Sequence, residues 1–320
     1  MTPMLTSIFR KIHCQTVAST CVSLAVSAVL LAQAPPAPMV KEGAAVKVGD
    51  HTWAIPDGNV GGVPNVGIVV GSRATLVIDP GMGRANGEIV LREVGKVSRN
   101  AEVYIATTHF HPEHTTGYVA FPPSAKYINS KTQEDEFAAS GMGMAQQFAS
   151  RTAVNADLLK DATRRVADIT FDSNYVLDLG GVRVRFLLVG PTHTKGDTGL
   201  FVEGDKVLFS GDVVMNQSFV AANAQTTSVK AWLAAFDAFE AMKPRTIVPA
   251  HGPIGDAALI PTLRAVMLDI QTRTRAMKAQ GKTADEIAAM LQAEVQAQHP
   301  TWARLTGVGA AARAAFNEAP

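Results

Sequence analysis

Residues 109–114 read His-Phe-His-Pro-Glu-His and follow directly on an apolar, β-branched run at 103–107. No other stretch restricts the fold as much, because a strand must end where three imidazoles and a carboxylate converge. In an extended chain residues i and i+2 point the same way, so His109 and His111 can bind one ion. Pro112 turns the chain and sends Glu113 and His114 elsewhere, so one hexapeptide can serve two metals. A lone histidine is ordinarily a surface or satisfied core residue, and that reading fits His51 and His299. Three histidines and a carboxylate within six residues have the density of a ligand set.

Four further residues stand where apolar runs meet a Gly or Pro turn: Asp79 before Pro80-Gly81, His193 after Pro191-Thr192, Asp212 after Ser210-Gly211, and His251 before Gly252. Taken singly, each is an ordinary turn residue. The runs themselves set the plan. Strand-type segments at 46–55, 66–70 and 74–78 predict an antiparallel opening, followed by a helix at 87–97 and the strand 103–107. A capping box at 130–133 starts a helix that Gly141 and Gly143 interrupt, either a surface helix or a flap. Strands at 175–179, 182–189, 199–203 and 206–209 precede a helix whose Val229, Trp232, Leu233, Phe236 and Phe239 form a core-facing stripe. A strand at 246–249 and a helical tail with a capping box at 283–286 complete the series. Two halves of strands ending in helices predict an α/β fold, two sheets packed face to face with helices outside, a four-layer αββα sandwich.

Composition narrows the function. The 320 residues are 47% hydrophobic, and 29 Lys plus Arg against 28 Asp plus Glu give a net charge of +1. Without a basic block, nucleic acid is excluded as a partner, and a small-molecule substrate is expected. Arg10 and Lys11, the apolar run 17–31 and Ala32-Gln33-Ala34 have the three parts of a secretory signal, which predicts a periplasmic or secreted protein. Pro35 is a poor residue after a cleavage site, so an uncleaved N-terminal anchor is the alternative and the sole expected membrane contact. Cys14 and Cys21 both fall inside this segment, leaving no thiolate for a metal site beyond it. The expected organisation is a signal at 1–34, a Pro/Ala linker at 35–45, a catalytic domain at 46–256 and a C-terminal helical extension at 257–320. No G-x-S-x-G elbow, Walker A loop, dinucleotide fingerprint or C-x-x-C pair supports a different chemistry.

As an ordered set, these residues resemble the five motifs of the metallo-β-lactamase-fold hydrolase superfamily, over roughly residues 46–252. The resemblance implies the αββα fold, a first metal on His109, His111 and His193, and a second on Glu113, His114 and His251. It further implies that Asp212 bridges the two ions and that Asp79 supports the site, by hydrogen bonding to it or by binding the second metal's surroundings. Nitrogen-rich, thiolate-free ligand sets suit Zn²⁺, two per chain, and tolerate iron or manganese. A metal-bridging hydroxide would then attack an ester-like, thioester or lactone bond, with Glu113 and Asp212 as the carboxylates taking part in catalysis. Two positions depart from the common pattern. Most relatives carry Asp where this chain has Glu113, and the true β-lactamases carry Cys, Ser or Met where it has Asp212. The rival readings are a β-lactamase, a mononuclear iron oxygenase of the same fold, and a non-catalytic metal-binding protein. Pocket walls come from loops outside the motifs, so the motifs name no substrate.

Overall fold

The computed structural model describes residues 36–223 and 227–320, so the expected signal at 1–34 and both cysteines lie outside the described residues. Among the described residues, thirteen strands form two sheets. The first contains β1 (Val46–Lys47), β2 (Thr52–Ile55), β3 (Val66–Val70), β4 (Ala74–Ile78), β5 (Glu102–Ala106), β6 (Lys126–Ser130) and β7 (Ile169–Phe171), side by side in chain order. The second contains β8 (Asn174–Asp178), β9 (Arg183–Leu188), β10 (Thr198–Val202), β11 (Val207–Gly211), β12 (Thr246–Pro249) and β13 (Gly255–Asp256), also in chain order across the sheet. The helices are α1 (Gly83–Val97), α2 (Pro112–Thr115), α3 (Lys131–Glu136), α4 (Met142–Ala149), α5 (Ala153–Leu158), α6 (Val229–Ala241), α7 (Leu259–Ala279), α8 (Ala284–Gln298) and α9 (Thr306–Glu318).

The layers follow from the two-residue period of a strand. Leu76 and Ile78 of β4 point into a central core together with Phe186, Leu200, Phe209 and Val248 from the second sheet. Val77, between them, points outward to Val90, Tyr118 and Tyr127. Phe209 and Leu208 divide in the same way, Leu208 joining Trp232, Phe236 and Phe239 beneath the outer helices. Alternate residues of the same strand are therefore apolar on both faces, as a sheet covered on both sides requires. The result is the four-layer αββα sandwich expected from the sequence. Helices α7, α8 and α9 close over α6, and their Ile260, Ile270, Leu291 and Val308 share its core. The box at the start of α8 is reciprocal, Glu286 N–H donating to Thr283 Oγ1 while Thr283 N–H donates to the Glu286 carboxylate.

Three local expectations change. The run 46–55 is two strands, because Gly49 turns the chain against Asp205 of the second sheet; a Cβ on Gly49 would lie 2.3 Å from Asp205 Oδ2. That oxygen accepts hydrogen bonds from His51 N (2.8 Å) and Thr52 Oγ1 (2.6 Å), a tie between sheets that a β-propensity reading does not contain. Gly141 does not break the helix begun at Lys131, which continues through a π-turn at Phe137–Gly141 into α4. Strands β6, β7 and β13 and helix α5 carry too little periodicity to be seen in advance.

Topology decides where the chemistry falls. β4, β5 and β6 are parallel, so their C-terminal ends share one edge of the first sheet. In the second sheet β11 and β12 are parallel, and β9 runs with them because it is antiparallel to β10, which is antiparallel to β11. The turns carrying Asp79, His109, His193, Asp212 and His251 follow β4, β5, β9, β11 and β12 in that order.

Candidate metal centre

All eight residues singled out in the sequence meet at this edge, and seven form three overlapping groups. His109, His111 and His193 form one; His109, His114 and Asp212 a second; Glu113, His114 and His251 a third, with potential ligand atoms inside each group within 4.8 Å of one another. Asp212 lies between the outer groups, its Oδ2 3.5 Å from His193 Nε2 and its Oδ1 3.8 Å from His251 Nε2. Asp79 stands behind them. Its carboxylate accepts from Thr108 N (2.7 Å), Thr108 Oγ1 (2.8 Å) and His114 Nδ1 (3.0 Å).

Ring orientation is imposed from outside the cluster. The single hydroxyl proton of Thr108 goes to Asp79, so the Thr108 oxygen can only accept from His109 Nδ1, 3.2 Å away. His193 Nδ1 donates to the Ala221 carbonyl (2.6 Å) and His251 Nδ1 to the Val63 carbonyl (2.8 Å). With Nδ1 carrying the proton, His109, His193 and His251 each direct an Nε2 lone pair inward, and His114 aims its Nε2 the same way, free to ligate once its second proton is displaced. His111 is turned the other way, its Nδ1 facing His193 Nε2 at 3.1 Å. Such packing leaves nitrogen and oxygen ligand atoms without hydrogen-bond partners. Of the seven buried side-chain polar atoms without a hydrogen bond among the described residues, five belong here: His109 Nε2, His114 Nε2, His251 Nε2, Glu113 Oε2 and Asp212 Oδ1. Buried polar atoms are ordinarily satisfied, and five converging orphans fit divalent cations.

Electrostatics keep most of these rings neutral. Burial, followed by the neighbouring imidazoles, holds His109 and His111 well below the usual histidine range. Burial also brings His251 down to about 4, against the pull of Asp212. Burial opposes protonation of His114 as well, but the Asp79 carboxylate outweighs it and pushes that ring up to about 9. Burial raises the Glu113 carboxyl. Burial works in the same sense on Asp212, but His251, Arg304, His193 and His114 together hold that carboxyl below the usual range.

The loops bearing single residues are braced by groups with no motif of their own. Asn65 Nδ2 donates to the carbonyls of Pro249 and Gly252, both at 2.8 Å, and Asp57 accepts from Gly252 N at 2.8 Å, clamping the turn around His251. Buried Asp197 holds the His193 turn by accepting from Thr194 N (2.8 Å), Thr194 Oγ1 (2.7 Å) and Thr192 Oγ1. Gly211 is required just before Asp212: its φ is 59°, and a Cβ there would meet Thr108 Cβ at 2.9 Å. Arg304, from the turn before α9, brings Nη1 to 3.4 Å from Asp212 Oδ2. An aspartate four residues after His193 is a readable signal for a turn clamp, whereas Arg304 is 92 residues from its partner and has none. His51 and His299 lie outside the groups; the His299 ring stacks on Trp302 at 3.9 Å.

The sequence profile of the Metallo-beta-lactamase superfamily matches residues 59–251. The chain is 24% identical over 208 residues to a linear primary-alkylsulfatase of Pseudomonas sp. (strain ATCC 19151), a match covering 55% of this chain and 39% of that protein. Among solved structures it is similar to the stereoselective inverting sec-alkylsulfatase Pisa1 from Pseudomonas sp., with a TM-score of 0.66, 17% identity, and coverage of 86% of this chain and 50% of that one. It also resembles a metallo-beta-lactamase from Pontibacter korlensis, with a TM-score of 0.57, 19% identity, and coverage of 70% and 98%. The chain therefore spans half or less of the length of the two alkylsulfatases it matches. A profile match over more than half of the chain, on the fold and ligand groups described above, makes this chain a member of the metallo-β-lactamase superfamily of metal-dependent hydrolases.

Proposed function

We propose that this chain is a binuclear metal-dependent hydrolase of an ester-like, thioester or lactone bond in a small molecule, with Zn²⁺ as the metal. The observation that carries the reading is the set of five unpartnered buried ligand atoms, one on His109 of the first three-residue group, three on Glu113, His114 and His251 of the other, and one on Asp212 between them. In this reading His109, His111 and His193 hold one ion, and Glu113, His114 and His251 hold the other. Asp212 faces both. Bound there, two divalent ions would lower the pKa of a shared water to about 7 and polarise the substrate's electrophile.

The chain's own part is orientation and charge. Thr108, Ala221 and Val63 fix three rings in the tautomer that ligation needs, and Asp79 fixes the orientation of His114, which spares the loaded site that reorganisation. The carboxylates of Asp212 and Glu113 offset part of the ionic charge, and the depressed Asp212 carboxyl stays ionised throughout the neutral range. Thiolates are absent from the groups, which supports a nitrogen- and oxygen-ligated ion over a soft-metal site. The named alkylsulfatase relatives bring sulfate esters into the substrate range to be tested. We further propose export, from the signal-like residues 1–34.

A panel of p-nitrophenyl sulfate, p-nitrophenyl acetate, a thioester, a lactone and nitrocefin, given to zinc-reconstituted protein, tests the reading. Zinc-dependent cleavage of an ester-like member that is lost on chelation and restored on adding zinc is the expected result. Preferential turnover of nitrocefin would replace the reading with a β-lactamase, and inertness across the panel with a metal-binding protein.

A further inference from the structure

Arg304 is a part of this site that the family match, ending at residue 251, does not reach. Its position is built by the chain around it. Ala303 N donates to Gln217 O and Phe219 N to Ala303 O, both at 3.0 Å, Ser218 Oγ donates to Ala303 O at 3.2 Å, and Gly307 N donates to Arg304 O at 3.0 Å. These bonds stitch the turn before α9 to the segment that leaves Asp212. They hold Arg304 itself at a φ of 56°, a conformation that a non-glycine residue keeps only where its surroundings over-determine it. The side chain is 39% exposed and lines a cavity of about 340 Å³ with Asn59, Asn216, Ser218, His251 and Thr301.

Charge explains what such a residue is for. In the hydrolase reading, on which this inference rests, Asp212 and Glu113 bring two negative charges to two divalent ions, leaving the centre at about +2, or about +1 once the shared water has become hydroxide. A guanidinium placed 3.4 Å from Asp212 adds to an excess of positive charge that only an anion relieves. Asp212 is the hydrogen-bond partner of the Arg304 side chain among the described residues, and it engages Nη1 alone. The remaining N–H groups of the planar fork are the donors that suit an oxyanion.

We propose that Arg304 is the specificity-determining anion contact of this site. It selects substrates whose negative oxyanion lies on or beside the bond to be cleaved: a sulfate or phosphate monoester, or an ester flanked by a carboxylate. Lysine would supply the charge without the fork.

The test uses the metal-loaded full chain, its Arg304→Gln and Arg304→Lys variants, and calorimetric titration with inorganic sulfate, phosphate and acetate, alongside elemental analysis. At least one oxyanion should bind the parent, Arg304→Gln should weaken that binding by about ten-fold or more, and Arg304→Lys should fall between, with metal content unchanged in both. The tightest of the three anions identifies which charged group the site takes. On p-nitrophenyl sulfate against p-nitrophenyl acetate, Arg304→Gln should lose the preference for the anionic ester by a similar factor, mainly in KM. The proposal is overturned by a parent that binds none of the anions, or by a glutamine variant that binds them equally well or keeps the preference. Loss of metal from Arg304→Gln would also overturn it, making Arg304 a support for Asp212. Anion binding through Arg304 in a protein that cleaves no ester would uphold this inference and defeat the hydrolase reading separately.

Discussion

The two sheets contribute to the site in opposite ways. The first sheet delivers His109, His111, Glu113 and His114 from one turn after β5, within six residues of continuous chain. The second delivers His193, Asp212 and His251 one at a time, each from the end of a different strand and each held by a residue far away in sequence. His251 Nδ1 rests on a carbonyl 188 residues distant, and Arg304 reaches Asp212 across 92. Geometry that is local on one side is entirely tertiary on the other. The dispersed half should therefore be the easier to loosen by changes at residues that never touch a metal.

The largest effect is expected where the halves meet. Asp212→Ala removes the carboxylate that faces both groups, and zinc-dependent turnover should fall by ~100-fold or more, with the tighter loss in one of two zinc binding events by calorimetry. Two unaltered binding events would show that Asp212 does not join the halves. Asp79→Asn tests the first sheet from behind. It takes the charge from the group that orients His114 and, through Thr108, His109, and zinc affinity of the group containing His114 should drop by about 10- to 100-fold.

Asn65→Ala tests the dispersed half by the same logic. It leaves the carbonyls of Pro249 and Gly252 without their donor, so thermal melts should show about 1–3 kcal/mol of lost stability. Affinity for the His251 group should weaken while the His109–His111–His193 group holds. Equal weakening of both would show that the clamp does not act through the turn carrying His251. The smallest expected change is Glu113→Asp, which shortens the carboxylate carrying the unpartnered Oε2. If Glu113 is a direct ligand, restoring the commoner residue should weaken the second zinc by a few-fold in calorimetry, because the surrounding chain is fitted to the longer side chain.

Legibility in the sequence divides along the same line. The hexapeptide could be read outright, since its spacing carries its own geometry. Asp79, His193, Asp212 and His251 were legible only as an ordered set, because each alone is a turn residue. Four layers could be inferred because the strands come in two halves that each end in helices, and β4 and β11 are in fact buried at every position, as cover on both faces requires. The bracing residues Asn65 and Asp57 were not, since a buried amide or carboxylate whose partners are far away in sequence has meaning only once they are in space; Asp197, four residues after His193, does carry a local signal. Arg304 is the extreme case: nothing in the helical tail marks one of its arginines as belonging to the site. Strands β1 and β2 were merged for a related reason, the turn between them being set by Asp205 from the other sheet.

The central claim is that two ligand groups, each drawing two residues from the local turn after β5 and one from a strand end of the second sheet, each hold an ion and share Asp212. Elemental analysis of the purified chain, expressed with zinc, iron and manganese all replete, tests it most directly. The account predicts close to two zinc ions per chain, falling to about one in Asp212→Ala. A single iron per chain with no zinc, unchanged by that substitution, would contradict it.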